Sequence, residues 1–364
     1  MKEALIVTWC MTSLNYGELL QAYAMQSLLR QRGIEAVVVS YLDKKVAKAA
    51  RKTSIYRENC LGYYRFRKFV KEYMGDLKQC GNRGEVLALS EDCDYILCGS
   101  DQIWNPNSMD QDMVLALNFG DKTIPKIAYA PSMGIKRVSS RNRAVVSEMA
   151  KRIDRIDSIS VREKRAREIL SGELNCEIAC VLDPTLLISR REWHMLARKL
   201  RMKQKYIVVY ILGKTEPYTN LIQRIADKYG AECIVWLDVI RGTVLKGKNV
   251  KRVRMASPQE FLGFIENAEA VVTDSFHGVM FSVKFRRNLY ILARRYSVRN
   301  IEGDVRLEDI TERLGIQERL VRKASDIDAL PKAMDYTQVS ERYHRERKHS
   351  LQFLEKALKV GIRK

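Results

Sequence analysis

Short apolar runs separated by amphipathic stretches recur along this chain, and the alternation predicts strands and helices in turn. Lys2 to Trp9 reads as a strand. Asn15 can cap a helix that carries Leu19, Leu20, Tyr23, Leu28 and Leu29 and stops at Gly33. Val37-Val38-Val39 is the next strand, and Tyr95 to Cys98, Lys126 to Tyr129, Ile156 to Val161 and Cys180 to Leu182 continue the series. A second series opens with Tyr206 to Leu212, passes through a helix from Ile222 to Tyr229, and returns in Cys233 to Leu237. Alternation of this kind builds mostly parallel sheets, so the expected fold class is α/β with two Rossmann-like halves. The polar, basic stretch Lys199 to Gln204 marks their boundary: residues 1–200 are expected to form the first domain, 201–335 the second, and 336–364 a charged amphipathic helix with Leu351, Leu354 and Leu358 on one side.

The most informative stretch is Asp274-Ser275-Phe276-His277-Gly278. Upstream, Ser257-Pro258-Gln259-Glu260 has the spacing of a capping box with proline at the first helical position, and opens a helix through Phe261, Leu262 and Ile265 that ends near Asn267. Ala270 to Thr273 is then a short apolar strand, and Val279 to Val283 resumes an apolar run that can be helical. His277 therefore sits between a strand's carboxyl end and a helix. In open α/β sheets that edge holds the ligand crevice, and the helix start favours anions. Gly278 lets backbone approach a ligand closely. Capping by Asp274 or Ser275 and simple packing of His277 is the plainer reading of these residues alone.

Composition narrows the class. A chain of 364 residues exceeds the roughly 250–300 at which a single core stops growing, which agrees with two domains. The longest apolar runs fall well short of the ~20 residues a membrane-spanning helix needs. Met1-Lys2-Glu3 leads straight into a strand, without the cleavage site of a secretory signal, so a cytoplasmic protein is expected. Eight cysteines, at 10, 60, 80, 93, 98, 176, 180 and 233, lack paired CxxC spacing, and His194, His344 and His349 lie in helix-like segments. Reduced thiols and no metal site are expected.

The formal net charge of +20 admits nucleic acid, an anionic membrane surface or anionic substrates as partners. Residues 44–71 hold ten Lys or Arg against one acid, Glu58, with Tyr56, Tyr63, Tyr64, Phe66 and Phe69 interleaved. No recognised nucleic-acid-binding fold accompanies the patch, so no nucleic-acid partner is expected. A solvated helical face with inward aromatics accounts for most of it. An inner-membrane surface is the sharper alternative, since basic residues there gain about 1 kcal/mol each.

Further segments, with the His277 loop, resemble the polysaccharide pyruvyl transferase family. They are Asn15-Tyr16-Gly17 followed by Leu20-Gln21-Ala22-Tyr23-Ala24; Gly99-Ser100-Asp101-Gln102-Ile103-Trp104-Asn105; Tyr129-Ala130-Pro131-Ser132 with Gly134; and the middle pair Ser160-Val161-Arg162-Glu163 and Asp183-Pro184-Thr185-Leu186-Leu187. They occur in the family's order between about residue 5 and residue 310.

The resemblance implies a GT-B-like arrangement with the active site between an amino-terminal acceptor domain and a carboxyl-terminal donor domain. It implies transfer of a pyruvyl group from phosphoenolpyruvate to a sugar of a polysaccharide or its lipid-linked precursor, giving a cyclic ketal and phosphate, with no cofactor. His277 is then the general acid/base and Arg162 the clamp for the anionic donor, because a guanidinium fork matches carboxylate or phosphate. Ser100, Asp101, Gln102 and Trp104 are expected to face the acceptor sugar. Asn15 and Gly17 fit a cap and tight turn better than ligand contact, though they belong to the candidate site. The family often carries Arg where this chain has Ser275; here Ser275 and the helix start would bind phosphate, helped by Lys284, Arg294, Arg295, Arg299 or Arg306. Two other readings stand beside this one: a GT-B glycosyltransferase using a nucleotide sugar, and a non-catalytic basic protein that binds polyanions.

Overall fold

The computed structural model describes residues 2–43, 60–109, 112–239, 242–292 and 304–360, and within them two wholly parallel sheets. The first comprises β1 (Lys2–Thr8), β2 (Ile34–Tyr41), β3 (Lys78–Cys80), β4 (Tyr95–Gly99), β5 (Lys126–Tyr129), β6 (Ser158–Val161) and β7 (Ile178–Cys180), in the order β3-β2-β1-β4-β5-β6-β7. Ala4, Leu5, Ile6 and Val7 of β1 are all buried. Helices cover both faces of such a sheet, so its central strands read as continuous apolar runs and not as alternation. The second sheet comprises β8 (Tyr206–Tyr210), β9 (Cys233–Asp238), β10 (Val250–Arg254), β11 (Ala270–Thr273), β12 (Asn288–Leu292) and β13 (Leu320–Val321), in the order β10-β9-β8-β11-β12-β13.

Both orders are doubly wound. Each sheet grows outward in one direction from its first strand, then returns to that strand's other side. The direction of winding reverses between β1 and β4 in the first sheet and between β8 and β11 in the second. Ala4 pairs with Tyr95 across the first switch point, and Tyr210 with Thr273 across the second. At such a point the outgoing loops diverge and leave a crevice at the strands' carboxyl ends.

The chain divides into two units, one of Met1–Cys60, Arg67–Ile188 and His344–Lys364, the other of Leu61–Phe66 and Ser189–Tyr343. The helix Thr337–Val360 is one residue pair longer than the amphipathic pattern from Val339. In the first unit its later turns are held by Ser350, whose Oγ accepts from Leu182 N at 2.9 Å, and by Leu358, whose carbonyl accepts from the Tyr95 hydroxyl at 2.8 Å. Trp193, buried in the second unit, meets Phe281 edge to face at 5.0 Å.

Among the described residues no helix is long and apolar enough to cross a membrane, and no cluster of His, Cys, Asp and Glu could hold a metal ion. Most of the basic stretch from Lys44 to Lys71 lies outside the described residues, which resume at Cys60.

Candidate functional site

At the carboxyl edge of the second sheet, β11 ends in Thr273, whose hydroxyl donates to Tyr210 O at 2.6 Å and accepts from Ser275 N at 3.0 Å. Ser275 takes extended backbone angles and its Oγ accepts from Gly278 N at 3.3 Å, so it caps the helix Phe276–Lys284. Asp274 is fully buried and its Oδ1 accepts from Leu212 N at 2.6 Å, which fastens the loop leaving β8 to the loop leaving β11. A Cβ added to Gly213 would lie 3.1 Å from Asp274 Oδ2. A Cβ at Gly278 would overlap the Thr273 hydroxyl, so close packing of helix on strand requires glycine at this position. His277 follows as the second residue of the helix, 6% exposed. It thus stands at the switch point of its sheet, at the positive end of a helix dipole.

The cations expected to assist are differently placed. Lys284 is buried and donates to the Tyr343 hydroxyl at 2.7 Å. Arg306 grips Asp304 with Nε and Nη2 at 2.9 and 2.6 Å, a pair formed across its own helix start. Arg294, Arg295 and Arg299 lie outside the described residues.

The first unit carries a buried polar network at the corresponding edge. Asn15 accepts from Gly17 N at 2.8 Å and caps the helix Tyr16–Arg30, the structural role its position predicts. Past the end of β4, Asp101 takes a left-handed conformation with φ of 62°, which costs a non-glycine residue on the order of 1 kcal/mol. Its carbonyl accepts from Ser132 N at 2.8 Å, and Ser132 O accepts from Trp104 N at 3.2 Å, so the loops after β4 and β5 are laced together. Gln102 accepts from Asn105 at 3.2 Å and lies against Gly134.

Arg162, expected at a ligand, is 2% exposed. Its Nη1 donates to Asp183 Oδ2 at 2.9 Å, and Glu163 and Asp101 lie at 3.5 and 3.9 Å. Three carboxylates surround this one guanidinium and offset its positive charge. Ser100 donates to the same Asp183 oxygen at 2.7 Å. Trp104 is wholly buried with Nε1 donating to Leu115 O at 2.9 Å, so its indole fills the core and presents no face to a sugar.

One residue of this network escaped the sequence reading. Glu18, 3% exposed, accepts at Oε1 from Thr12 N at 2.7 Å and from the Thr12 hydroxyl, and at Oε2 from Ser13 Oγ at 2.5 Å. Burial pushes its carboxyl up to about 7; hydrogen bonds from Ser13 and Thr12 oppose that rise and the charge of Asp101 adds to it. The same burial, with the Glu18 charge, raises the neighbouring Cys10 thiol. The available signal was an acid one residue after the Asn15-Tyr16-Gly17 segment, where a helix's third residue can reach back to loop amides.

Solved structures share this fold. UDP-N-acetylglucosamine 2-epimerase from Rickettsia bellii aligns over 99% of this chain and 97% of its own, with TM-score 0.55 and 13% identity. A putative UDP-N-acetylglucosamine 2-epimerase from Listeria monocytogenes aligns over 96% and 91%, with TM-score 0.54 and 12% identity. An alpha-glucosyltransferase in complex with UDP aligns over 97% and 95%, with TM-score 0.51 and 11% identity. These place the chain in the GT-B fold class of two Rossmann-like domains. No curated protein sequence matches it. The family model for polysaccharide pyruvyl transferase matches residues 15–296, which includes Asn15, the Asp101 and Arg162 segments and the His277 loop. On that match, the chain belongs to the polysaccharide pyruvyl transferase family.

Proposed function

We propose that this transferase moves the pyruvyl group of phosphoenolpyruvate onto two hydroxyls of a sugar in a cell-surface polysaccharide or its lipid-linked precursor. The observation that carries the reading is His277 at the start of the helix Phe276–Lys284, within the matched family span. Ketal formation demands a specific proton balance. The donor's methylene carbon gains one proton and becomes a methyl group. Two acceptor hydroxyls each lose a proton as their oxygens bond to the former vinyl carbon, and the C–O bond to phosphate breaks. One hydroxyl proton replaces that delivered to the methylene carbon, and the other leaves with phosphate.

A single side chain that both gives and takes protons suits this balance, and an imidazole is the side chain best fitted to it near neutral pH. His277 is the proposed acid/base. The donor's anionic groups fall to the helix N-terminus, with Ser275 in place of a guanidinium and Gly278 keeping the backbone close. Asp101 and Gln102 are assigned to the acceptor hydroxyls. Arg162 is assigned a positioning role, holding Ser100 through Asp183 and facing Asp101 directly, because its own charge is already balanced.

The test is phosphate release from phosphoenolpyruvate in the presence of a panel of lipid-linked and free glycans, with ketal formation read by mass. Product from wild type and its loss in His277→Ala support the reading. The fold it shares with nucleotide-sugar enzymes supports a second donor class, so thermal stabilisation by UDP or a UDP-sugar, with none by phosphoenolpyruvate, would replace the first reading with the second.

A further inference from the structure

Three segments of the second unit, distant in sequence, meet around β10, whose outer edge pairs with no strand among the described residues. The first is the turn of helix at Leu61–Phe66. Gly62 packs directly on Met255, just past the end of β10, and Arg65 Nη1 donates to Met255 O at 2.9 Å. The second runs from Arg198 to Lys205 and is tied to the first through Glu260, which pairs with Arg65 at 3.5 Å and with Arg198 at 2.8 Å. The third runs from Lys246 to Arg254 and touches the second where Lys251 Nζ meets Met202 Sδ at 3.4 Å.

The second segment contributes Arg198, Lys199, Arg201, Lys203 and Lys205, and the third Lys246, Lys248, Lys251, Arg252 and Arg254; neither contains an acidic residue, and all ten are exposed. Glu260 and Asp238 offset part of this charge from beneath, through Arg198 and Arg252. Large exposed apolar side chains lie in or next to these segments in the chain: Leu61 and Tyr64 in the first, 58% and 64% exposed, Met195 three residues before Arg198 at 66%, and Val244 two residues before Lys246 at 52%.

We infer that this edge docks the protein on an anionic lipid bilayer. Basic residues on an edge strand also guard against strand pairing, but that role reaches only Lys251, Arg252 and Arg254 and leaves the other seven unexplained. Exposed apolar side chains carried on the same stretches of chain as cations fit acyl chains below and headgroups above. A nucleic-acid backbone offers nothing to Leu61 or Val244. Most of the cations are lysines, point charges suited to a diffuse anionic surface, and no planar fork geometry is needed. The inference goes beyond the donor chemistry and does not depend on it.

The full chain is sedimented with vesicles of phosphatidylcholine mixed with phosphatidylglycerol, and with vesicles of phosphatidylcholine alone. Wild type should partition onto the mixed vesicles only, less as salt rises. Neutralising Lys199, Lys203, Lys246 and Lys248 to Gln should lower that partitioning several hundredfold, since each basic residue near anionic lipid contributes about fivefold. The charge-matched variant Lys122→Gln, Arg137→Gln, Arg141→Gln, Arg143→Gln, exposed positions of the first unit, should bind within a few-fold of wild type. Leu61→Ser with Val244→Ser should weaken vesicle binding several-fold and leave any binding to duplex DNA unchanged. Equal losses in the two lysine and arginine variants would reduce the effect to net charge and overturn the proposal. So would absence of wild-type binding at low salt, or DNA binding tighter than vesicle binding and lost in the same four-lysine variant.

Discussion

The Ser100 hydroxyl and the Arg162 guanidinium converge on one oxygen of Asp183, at 2.7 and 2.9 Å. The second Asp183 oxygen accepts from Thr185 N and Oγ1 at 3.0 and 2.7 Å, so every lone-pair direction of this buried carboxylate is used. It joins the ends of β4, β6 and β7 at the edge where Asp101 emerges.

Breaking that junction should unfold the edge and not merely slow chemistry. Asp183→Ala leaves a buried guanidinium without its nearest partner, and removal of one member of a buried pair costs about 3–5 kcal/mol. A fall in melting temperature of roughly 10 °C is expected by calorimetry. Arg162→Lys should fall by a similar amount, since an ammonium cannot span Asp183, Glu163 and Asp101 together. A variant melting within a degree of wild type would show the network to be dispensable for the fold.

Glu18 predicts a pH dependence of stability whose sign follows from its surroundings. Its carboxyl titrates near the ordinary 4.5 when the chain is unfolded and about 7 when buried, so the folded protein holds this proton more tightly. As pH rises from about 4.5 to about 7 the unfolded chain releases the proton first, and stability falls by roughly 3 kcal/mol before levelling off. Glu18→Gln keeps an oxygen that can accept from Thr12 N and sets its amide nitrogen where Oε2 accepts from Ser13 Oγ, with no charge to bury. The variant should match wild type near pH 5 and exceed it by up to roughly 3 kcal/mol above pH 8. Denaturant titrations of both proteins across that range decide it; parallel curves would return Glu18 to an ordinary carboxylate.

The architecture was legible because central strands of a doubly wound sheet are apolar on both faces, and β1, β4, β8, β9 and β11 stand out as runs. The capping box at Ser257 and Glu260 appears as its spacing predicts, with both reciprocal bonds formed. The strand β10 was not legible, since Val250-Lys251-Arg252-Val253-Arg254 lies at a sheet edge and keeps its charges in water. The order of segments singled out the His277 loop, but a residue's type does not disclose its partners. Arg162 and Trp104 look like ligand groups in a motif, and three-dimensional packing turns one into the centre of an ion network and the other into core. Glu18 had the opposite fate, because a glutamate on a helix reads as solvated until the loop folds over it.

At Gly278, contact between helix and strand sets the limit. An alanine Cβ would overlap Thr273 Oγ1 and stand 3.0 Å from its Cβ, and over-packing of this kind costs about 1–3 kcal/mol. Gly278→Ala should lower the melting temperature by several degrees and displace the His277 turn, so turnover should fall as well. Combined with Thr273→Ala, which removes the overlapped hydroxyl, the loss should be less than additive. Strict additivity in that cycle would mean that the two residues do not meet.

His277 separates chemistry from architecture. It is buried at the helix start, so His277→Ala removes packing as well as an acid/base group, and the variant needs an independent measure of folding. His277→Asn retains a polar side chain of similar reach and cannot exchange a proton near neutrality. Both should lower kcat for pyruvyl transfer by about 10²–10⁴-fold, roughly 3 to 5 kcal/mol of barrier. Phosphoenolpyruvate affinity by calorimetric titration should stay within a few-fold, because Ser275 and the helix start are intact. Ser275→Ala should show the reverse pattern, weakening donor affinity about tenfold for one lost hydrogen bond to a charged group while leaving kcat nearly unchanged. If His277→Asn keeps wild-type kcat with a normal melting temperature, the imidazole is a packing residue and the proton must pass through another group. If both His277 variants lose donor affinity and kcat together, the ring holds the donor, and proton transfer belongs elsewhere in the site.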